Sequence, residues 1–347
     1  MDGSGFRHPP LSPGQIDAPH LHADLGDLRL ESGEVIHDFR QSYVIHGKLS
    51  ANRSNAILVC ASLTGNHHRL DFLIGPGLAL DPDHYCIIAT DPIGNGLSTS
   101  PSNSARQPGM AFPRFAIRDM VHAQYRLLVE ALGIRHLHAV VGASMGGMQA
   151  LQWAVSHADF MTACVAMTPM ARTSPWTILV TETARSCLMA DPAWDGTRFT
   201  AVPERGWRAY AGLMSVLLSR TPKALDRTLD GLDAAHQWFE RSVRQIHLNA
   251  FDATDYLYQS WAYEAHDVGT TPGYAGTETT LTAVKARALV LAPPLDLFNP
   301  VESAHATAAA IPRGHFVEIP SVQGHQAATS LTEADAEFLN QVIREFL

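Results

Sequence analysis

The chain runs to 347 residues, 46% of them hydrophobic, which is ample for a packed core in one large domain with an insertion or in two domains. Its 25 Lys and Arg against 34 Asp and Glu leave a formal charge of -9 with no basic run, which excludes nucleic acid or an anionic membrane as the main partner. No apolar stretch reaches the length needed to span a bilayer.

Met1 to His20 is polar and proline-rich and reads as a mobile arm, without the charged and apolar segments of a signal peptide. Val35 to His46 follows as an early strand, half of an antiparallel pair at a sheet edge. Asn55 to Leu63 and His84 to Ile93 are short runs rich in Ile, Val and Leu that end in glycine-containing loops, the pattern of buried strands. Between Ile117 and Leu132 the apolar residues Ile117, Met120, Val121, Tyr125, Leu128 and Leu132 form a helical stripe, which Gly133 stops. The run His138 to Val141 then leads through Gly142-Ala143-Ser144-Met145-Gly146-Gly147 into a helical stretch from Met148 to His157. Phe160 to Thr168, Ala286 to Ala292 and His315 to Ile319 are further buried runs, and Glu333 to Leu347 closes the chain as an amphipathic helix. Strands alternating with helices predict an α/β fold whose mostly parallel sheet carries helices on both faces.

Across residues 171–284 the alternation lapses into helix-like sequence rich in aromatics, among them Trp176, Trp194, Trp207, Tyr210, Trp238, Phe239, Tyr256, Tyr258 and Trp261. Pro192, Pro203 and Pro222 break it into short pieces, and Gly269 to Gly276 marks the return. This segment reads as a helical cap inserted into a core made of residues 1–170 and 285–347. Most of the aromatics hold the cap together, and a few line an acyl pocket.

Chemistry concentrates at Ser144. The string G-x-S-x-G between a strand and a helix is a nucleophile elbow, in which Gly142 and Gly146 permit the tight turn. A serine hydroxyl needs a base and an acid that orients it, arriving here in the order Ser, acid, His. Asp296 is the only carboxylate in the loop after the run ending at Ala292, although an Asp there also suits a turn or a helix cap. His325 follows one strand later beside Gly324, whereas His315 sits inside an apolar run. The oxyanion donors fall on the backbone N–H groups of Met145 and of Leu63, in the loop after the earlier strand. Cys60 is read as core, since its apolar neighbours keep the thiol protonated.

Four cysteines, Cys60, Cys86, Cys164 and Cys187, are widely spaced, which with the absent signal peptide predicts a reduced, cytoplasmic protein. The 18 histidines include no H-E-x-x-H, and His20-Leu21-His22 and His67-His68 are weak metal candidates, so neither a metal nor a cofactor is expected.

Gly142 through Val155 and Ile117-Arg118-Asp119-Met120-Val121 resemble the elbow and preceding segment of the homoserine O-acetyltransferases, a family of α/β-hydrolases. Phe72 to Gly77 and Ile93 to Ser98 are similar to family loops around the site. The resemblance spans nearly the whole chain and implies a triad of Ser144, Asp296 and His325, with oxyanion donors at Leu63 and Met145. It also implies a cap over the site, a homodimer formed largely through that cap, and ping-pong acetyl transfer through an acetyl-serine.

Three departures bear on the acceptor. Gln326 stands where the family commonly has an aspartate that pairs with the homoserine ammonium, and a neutral amide forms no such pair. Ala61-Ser62 replaces a usual histidine and alanine before Leu-Thr-Gly, and Tyr263-Glu264 replaces Met or Leu followed by Asp. Arg185 does match a family arginine that could hold a substrate carboxylate, with a salt bridge inside the cap as the competing role. The sequence is therefore read as a serine hydrolase of acetyl or other short-chain esters. The alternatives are a homoserine or related O-acetyltransferase using acetyl-CoA and, in another class, a non-catalytic binding protein on the same fold.

Overall fold

A computed structural model describes residues 10–217, 220–248 and 251–347. Eight strands form one sheet: β1 (Leu21–Asp24), β2 (Arg40–His46), β3 (Ala56–Cys60), β4 (Cys86–Thr90), β5 (Leu137–Ala143), β6 (Met161–Met167), β7 (Arg287–Ala292) and β8 (Gly314–Glu318). They lie side by side in the order β1-β2-β4-β3-β5-β6-β7-β8, with β2 antiparallel to both its neighbours, β1 and β4, and every later pairing parallel. This is the mostly parallel α/β sheet the alternating pattern calls for, in the α/β-hydrolase form that the resemblance implies.

The central strands are apolar on both sides because both faces are covered. Leu58, Cys60, Val140 and Cys164 pack against Met120 and Leu127 of the first helical segment and against Met148, Leu151 and Trp153 of α2. The alternate residues Ile57, Val59, Val141 and Val165 pack against Leu339 and Ile343 of α10. Here α1 is Ile117–Arg126, α2 is Met145–Ser156 and α10, the last helix, is Glu333–Phe346. Each such side chain removed from water contributes roughly 1.5–3 kcal/mol against the entropy of ordering it. The register puts Cys60 beside Thr90 and Gly142, and Met167 beside Leu291, so the loops leaving β3 to β7 emerge along one edge. That edge, the carboxyl end of a parallel sheet, is where α/β folds place ligands.

Helices occupy the segment between β6 and β7: α3 (Pro175–Met189), α4 (Glu204–Leu217), α5 (Pro222–Thr228), α6 (Gly231–Leu248), α7 (Ala253–Glu264) and the short α8 (Thr277–Leu281). Pro175 and Pro222 open their helices behind Ser174 and Thr221, whose hydroxyls accept the N–H groups of Thr177 and Ala224. Leu188, Trp207, Tyr210, Tyr256 and Leu257 form a separate small core there. The remaining helix, α9 (Val301–Ala310), joins β7 to β8.

Three expectations change at the amino-terminal side. Met1 to Pro9 lies outside the described residues, but the rest of the supposed mobile arm is anchored: Ile16 N–H donates to Asp71 at 2.8 Å, Ile16 and Ala18 pack on the core, and β1 begins at Leu21. Short polar sequence hid this strand. Val35 to His46 is two pieces, a ladder of Val35–Ile36 with Leu28–Arg29 and then β2, because Asp38 turns with φ 53 between them. The stripe from Ile117 is likewise divided, changing to a π-turn over Leu127–Ala131. No described helix is long and apolar enough to cross a membrane.

Candidate active site

Ser144 joins β5 to α2 with φ 57 and ψ -122, a strained conformation for a residue with a side chain. Close packing enforces it. A Cβ on Gly142 would stand 2.1 Å from the Gly146 carbonyl oxygen, so the turn closes only because glycine is there. Ser144 sits at the carboxyl end of β5 and is buried, 4% exposed.

His325 Nε2 lies 2.8 Å from Ser144 Oγ, and His325 Nδ1 lies 2.7 Å from Asp296 Oδ2. Both partners are buried, which strengthens these bonds relative to water. Asp296 both turns its own loop and reaches His325. Its Oδ1 accepts the N–H groups of Phe298 at 2.8 Å and Asn299 at 2.9 Å, turning its own loop, and that turn aims Oδ2 at the imidazole. The Phe298 ring meets the His325 ring edge-on at 5.3 Å. His315, the competing base, is exposed on β8, and burial pushes the Cys60 thiol up while its Sγ lies 3.7 Å from Gln124 Oε1.

Met145 is the first residue of α2, so its N–H belongs to the unpaired first turn of a helix. The loop bearing Leu63 is fastened to the elbow by Ser62 Oγ, which donates to the Ala143 carbonyl at 2.7 Å. It is fastened to α7 by Thr64 N–H, which donates to Gln259 Oε1 at 3.0 Å, while Gln259 Nε2 donates to the Ile93 carbonyl. Thr64 itself is held at φ 57.

Sequence patterns missed the side chains by which α3 and α7 grip the loop of Asp296. Trp176 Nε1 donates to the Leu297 carbonyl at 2.8 Å, Thr177 Oγ1 to the Phe298 carbonyl at 2.7 Å, and Tyr263 Oη to Asn299 Oδ1 at 2.8 Å. Asn299 in turn donates to the Thr168 carbonyl at 2.7 Å. Burial pushes the Tyr263 phenol up and keeps it protonated, beside both Asn299 and Ser144. No local motif marks such long-range pairs.

Arg185 is 3% exposed, with Nη2 paired to Glu264 and to Glu182 and Nη1 donating to Ser260 Oγ at 3.2 Å. Its guanidinium is thus engaged by carboxylates of the chain itself. Gln326 follows His325 in the short turn Gly324–Ala328 and is half-buried.

The matched family model, described as alpha/beta hydrolase fold, covers residues 55–205. A homoserine O-acetyltransferase of Caulobacter vibrioides is 35% identical over 336 residues, which cover 86% of this chain and 87% of that one. The chain belongs to the homoserine O-acetyltransferase family. Solved structures similar to it include an acetylester hydrolase from Corynebacterium glutamicum, with TM-score 0.87 and 30% identity over 94% of this chain and 95% of the other. The acetyl esterase MekB matches with TM-score 0.87 and 29% identity over 94% and 96%. Homoserine O-acetyltransferase relatives and acetyl esterase neighbours share one chemistry, and this chain is an enzyme of that acyl-transferring class, transferase or ester hydrolase.

Proposed function

We propose that the protein hydrolyses acetyl or other short-chain esters through an acyl-serine, with Ser144, His325 and Asp296 as triad and the N–H groups of Leu63 and Met145 as oxyanion hole. Ser144 Oγ attacks the ester carbonyl while His325 Nε2 takes its proton; the tetrahedral oxyanion is held by the two N–H groups. Collapse expels the alcohol, which receives that proton from His325. Water then attacks the acyl-serine, giving its proton to His325, and the carboxylic acid leaves as Ser144 regains its hydrogen. Asp296 holds the imidazole in the required tautomer throughout. No cofactor enters this scheme. A cytoplasmic homodimer built through the cap belongs to the same reading.

The hydrogen-bonded chain from Ser144 through His325 to Asp296 carries the proposal. Water as acceptor is favoured by the state of the two residues expected to bind the substrate. Homoserine offers an ammonium and a carboxylate, yet Gln326 has no charge for the first, and Arg185 already bears Glu264 and Glu182. The transferase reading keeps one specific support, the 35% identity to a homoserine O-acetyltransferase.

The deciding experiment gives purified protein a simple acetate ester, and separately acetyl-CoA with and without L-homoserine. Ester hydrolysis that exceeds O-acetylhomoserine formation and vanishes in Ser144→Ala supports hydrolysis. O-acetylhomoserine forming faster than the ester is cleaved overturns it in favour of transfer.

A further inference from the structure

Behind the loop that carries Leu63, three segments remote in sequence converge. His20 precedes β1, His67 opens the turn after Asn66, and Asp91 follows the last residue of β4. His20 Nε2 lies 3.1 Å from His67 Nδ1, His67 Nδ1 lies 3.2 Å from each oxygen of Asp91, and His20 Nε2 lies 3.9 Å from Asp91 Oδ2. We propose that His20, His67 and Asp91 form a binding site for a divalent transition-metal ion of the Zn²⁺ class.

The donor spacing supports it. Around an ion with bonds of about 2.0–2.2 Å to nitrogen and oxygen, tetrahedral neighbours stand about 3.3 Å apart. The three separations here, 3.1, 3.2 and 3.9 Å, bracket that edge, the spacing that three ligands of one ion need. Two imidazoles and one carboxylate suit Zn²⁺ and Co²⁺, whereas Ca²⁺ or Mg²⁺ would call for more oxygens.

His20 Nε2 is almost equidistant from both nitrogens of His67, 3.1 and 3.2 Å, and the two rings meet edge-on with centroids 4.3 Å apart. Joint coordination therefore requires the exposed-side ring of His20 to turn until its Nε2 faces the Nδ1 lone pair of His67.

The carboxylate is also held as a ligand needs to be. Asp91 Oδ2 accepts Ser42 Oγ at 2.7 Å, and Oδ1 accepts the His67 N–H at 3.0 Å and Asn95 Nδ2 at 3.2 Å. Outer partners of this kind fix ligand direction and tune affinity. Side-chain exposure falls from 20% at His20 to 2% at His67 and 0% at Asp91, which leaves a way in at His20. Asn95 Nδ2 donates as well to the Gly65 carbonyl at 3.2 Å, so an ion here would tie the amino-terminal segment, the loop of Leu63 and the end of β4 together.

The test uses the full chain without an affinity tag, stripped with a chelator and titrated with Co²⁺ and with Zn²⁺. Expected are one equivalent bound, the visible bands of low-coordinate Co²⁺ and a Tm raised by Zn²⁺. In His20→Ala, which keeps both buried ligands and hence the fold, affinity should fall at least ~10-fold. His37→Ala, at a half-buried histidine paired with Asp27, should bind as the parent does. Absence of Co²⁺ bands and of a Tm rise in the parent, or His20→Ala binding unchanged, overturns the site. Neither readout measures turnover, so the result stands apart from the hydrolase proposal.

Discussion

Gly146 packs against the backbone of Cys60 so closely that a Cβ on it would stand 2.2 Å from the Cys60 carbonyl oxygen. The first turn of α2 and the end of β3 therefore touch with nothing between them, which sets the distance from the Ser144 hydroxyl to the loop of Leu63. Gly146→Ala must push α2 off the sheet, because the obstacle is backbone and cannot rotate aside. A stability loss of roughly 1–3 kcal/mol is expected by urea unfolding, as for other overpacked core sites. Ester hydrolysis by the folded fraction should fall as well, since the elbow and the Leu63 loop separate together.

On the proposed mechanism, Asp296→Asn should lower kcat about 10⁴-fold, because an amide at that place favours the wrong imidazole tautomer. Ser144→Ala should lower it by about 10⁶. Neither should shift Tm by more than a few degrees, since the amide oxygen can still accept the Phe298 and Asn299 N–H groups. Steady-state kinetics with an acetate ester checks both. Retention of more than a tenth of the parent kcat in either variant would remove the triad.

The parallel sheet was legible because its strands are buried on both faces: Ala56–Cys60 is an uninterrupted apolar run, and Cys86–Thr90 and Arg287–Ala292 are each broken by one polar residue at an end. Ser144 was legible from its neighbours, since only glycine satisfies the close approaches at Gly142 and Gly146. Asp296 and His325 followed from chain order, and they lie within hydrogen-bond distance of each other and, through His325, of Ser144. What escaped notice depends on contacts between distant segments. The grip of Trp176, Thr177 and Tyr263 on the loop of Asp296 spans 36 to 121 positions, and β1 pairs through its backbone, so neither leaves a periodic trace. The paired state of Arg185 needed Glu264, 79 positions away.

His266 gives the fold an acid-sensitive point. It is buried, its Nε2 has no hydrogen-bond partner among the described residues, and burial lowers its pKa to about 4 although Asp267 pulls the other way. The unfolded chain, with an ordinary histidine pKa, binds the proton first, so the neutral ring's contribution is present above pH 6.5 and is lost as pH falls towards 4. From pH 8 to pH 5 this one group should cost about 2 kcal/mol of unfolding free energy. Urea midpoints at the two pH values should differ less in His266→Gln than in the parent. An equal difference in both would assign the acid sensitivity to other groups.

A chain of buried amides runs under the Leu63 loop. Trp153 Nε1 donates to Gln124 Oε1 at 2.7 Å, Gln124 Nε2 donates to Gln149 Oε1 at 2.7 Å, and Gln149 Nε2 donates to the Ala61 carbonyl at 2.9 Å. Gln149 is fully buried, so Gln149→Ala leaves an amide of Gln124 and the carbonyl of Ala61 without these partners, at about 1–3 kcal/mol for each group that water cannot reach. Ala61 lies two residues before Leu63, so its release loosens the proposed oxyanion donor more than the pocket that binds the substrate. The rate should therefore fall chiefly in kcat, by about 10-fold or more, with KM little changed, because oxyanion contacts strengthen only in the transition state. Gln149→Glu offers the complementary check: its carboxylate can still accept from Gln124 but cannot donate to Ala61, so it should lose kcat as the alanine variant does. A KM effect without a kcat effect in both variants would place the network under the substrate pocket and detach it from the oxyanion loop.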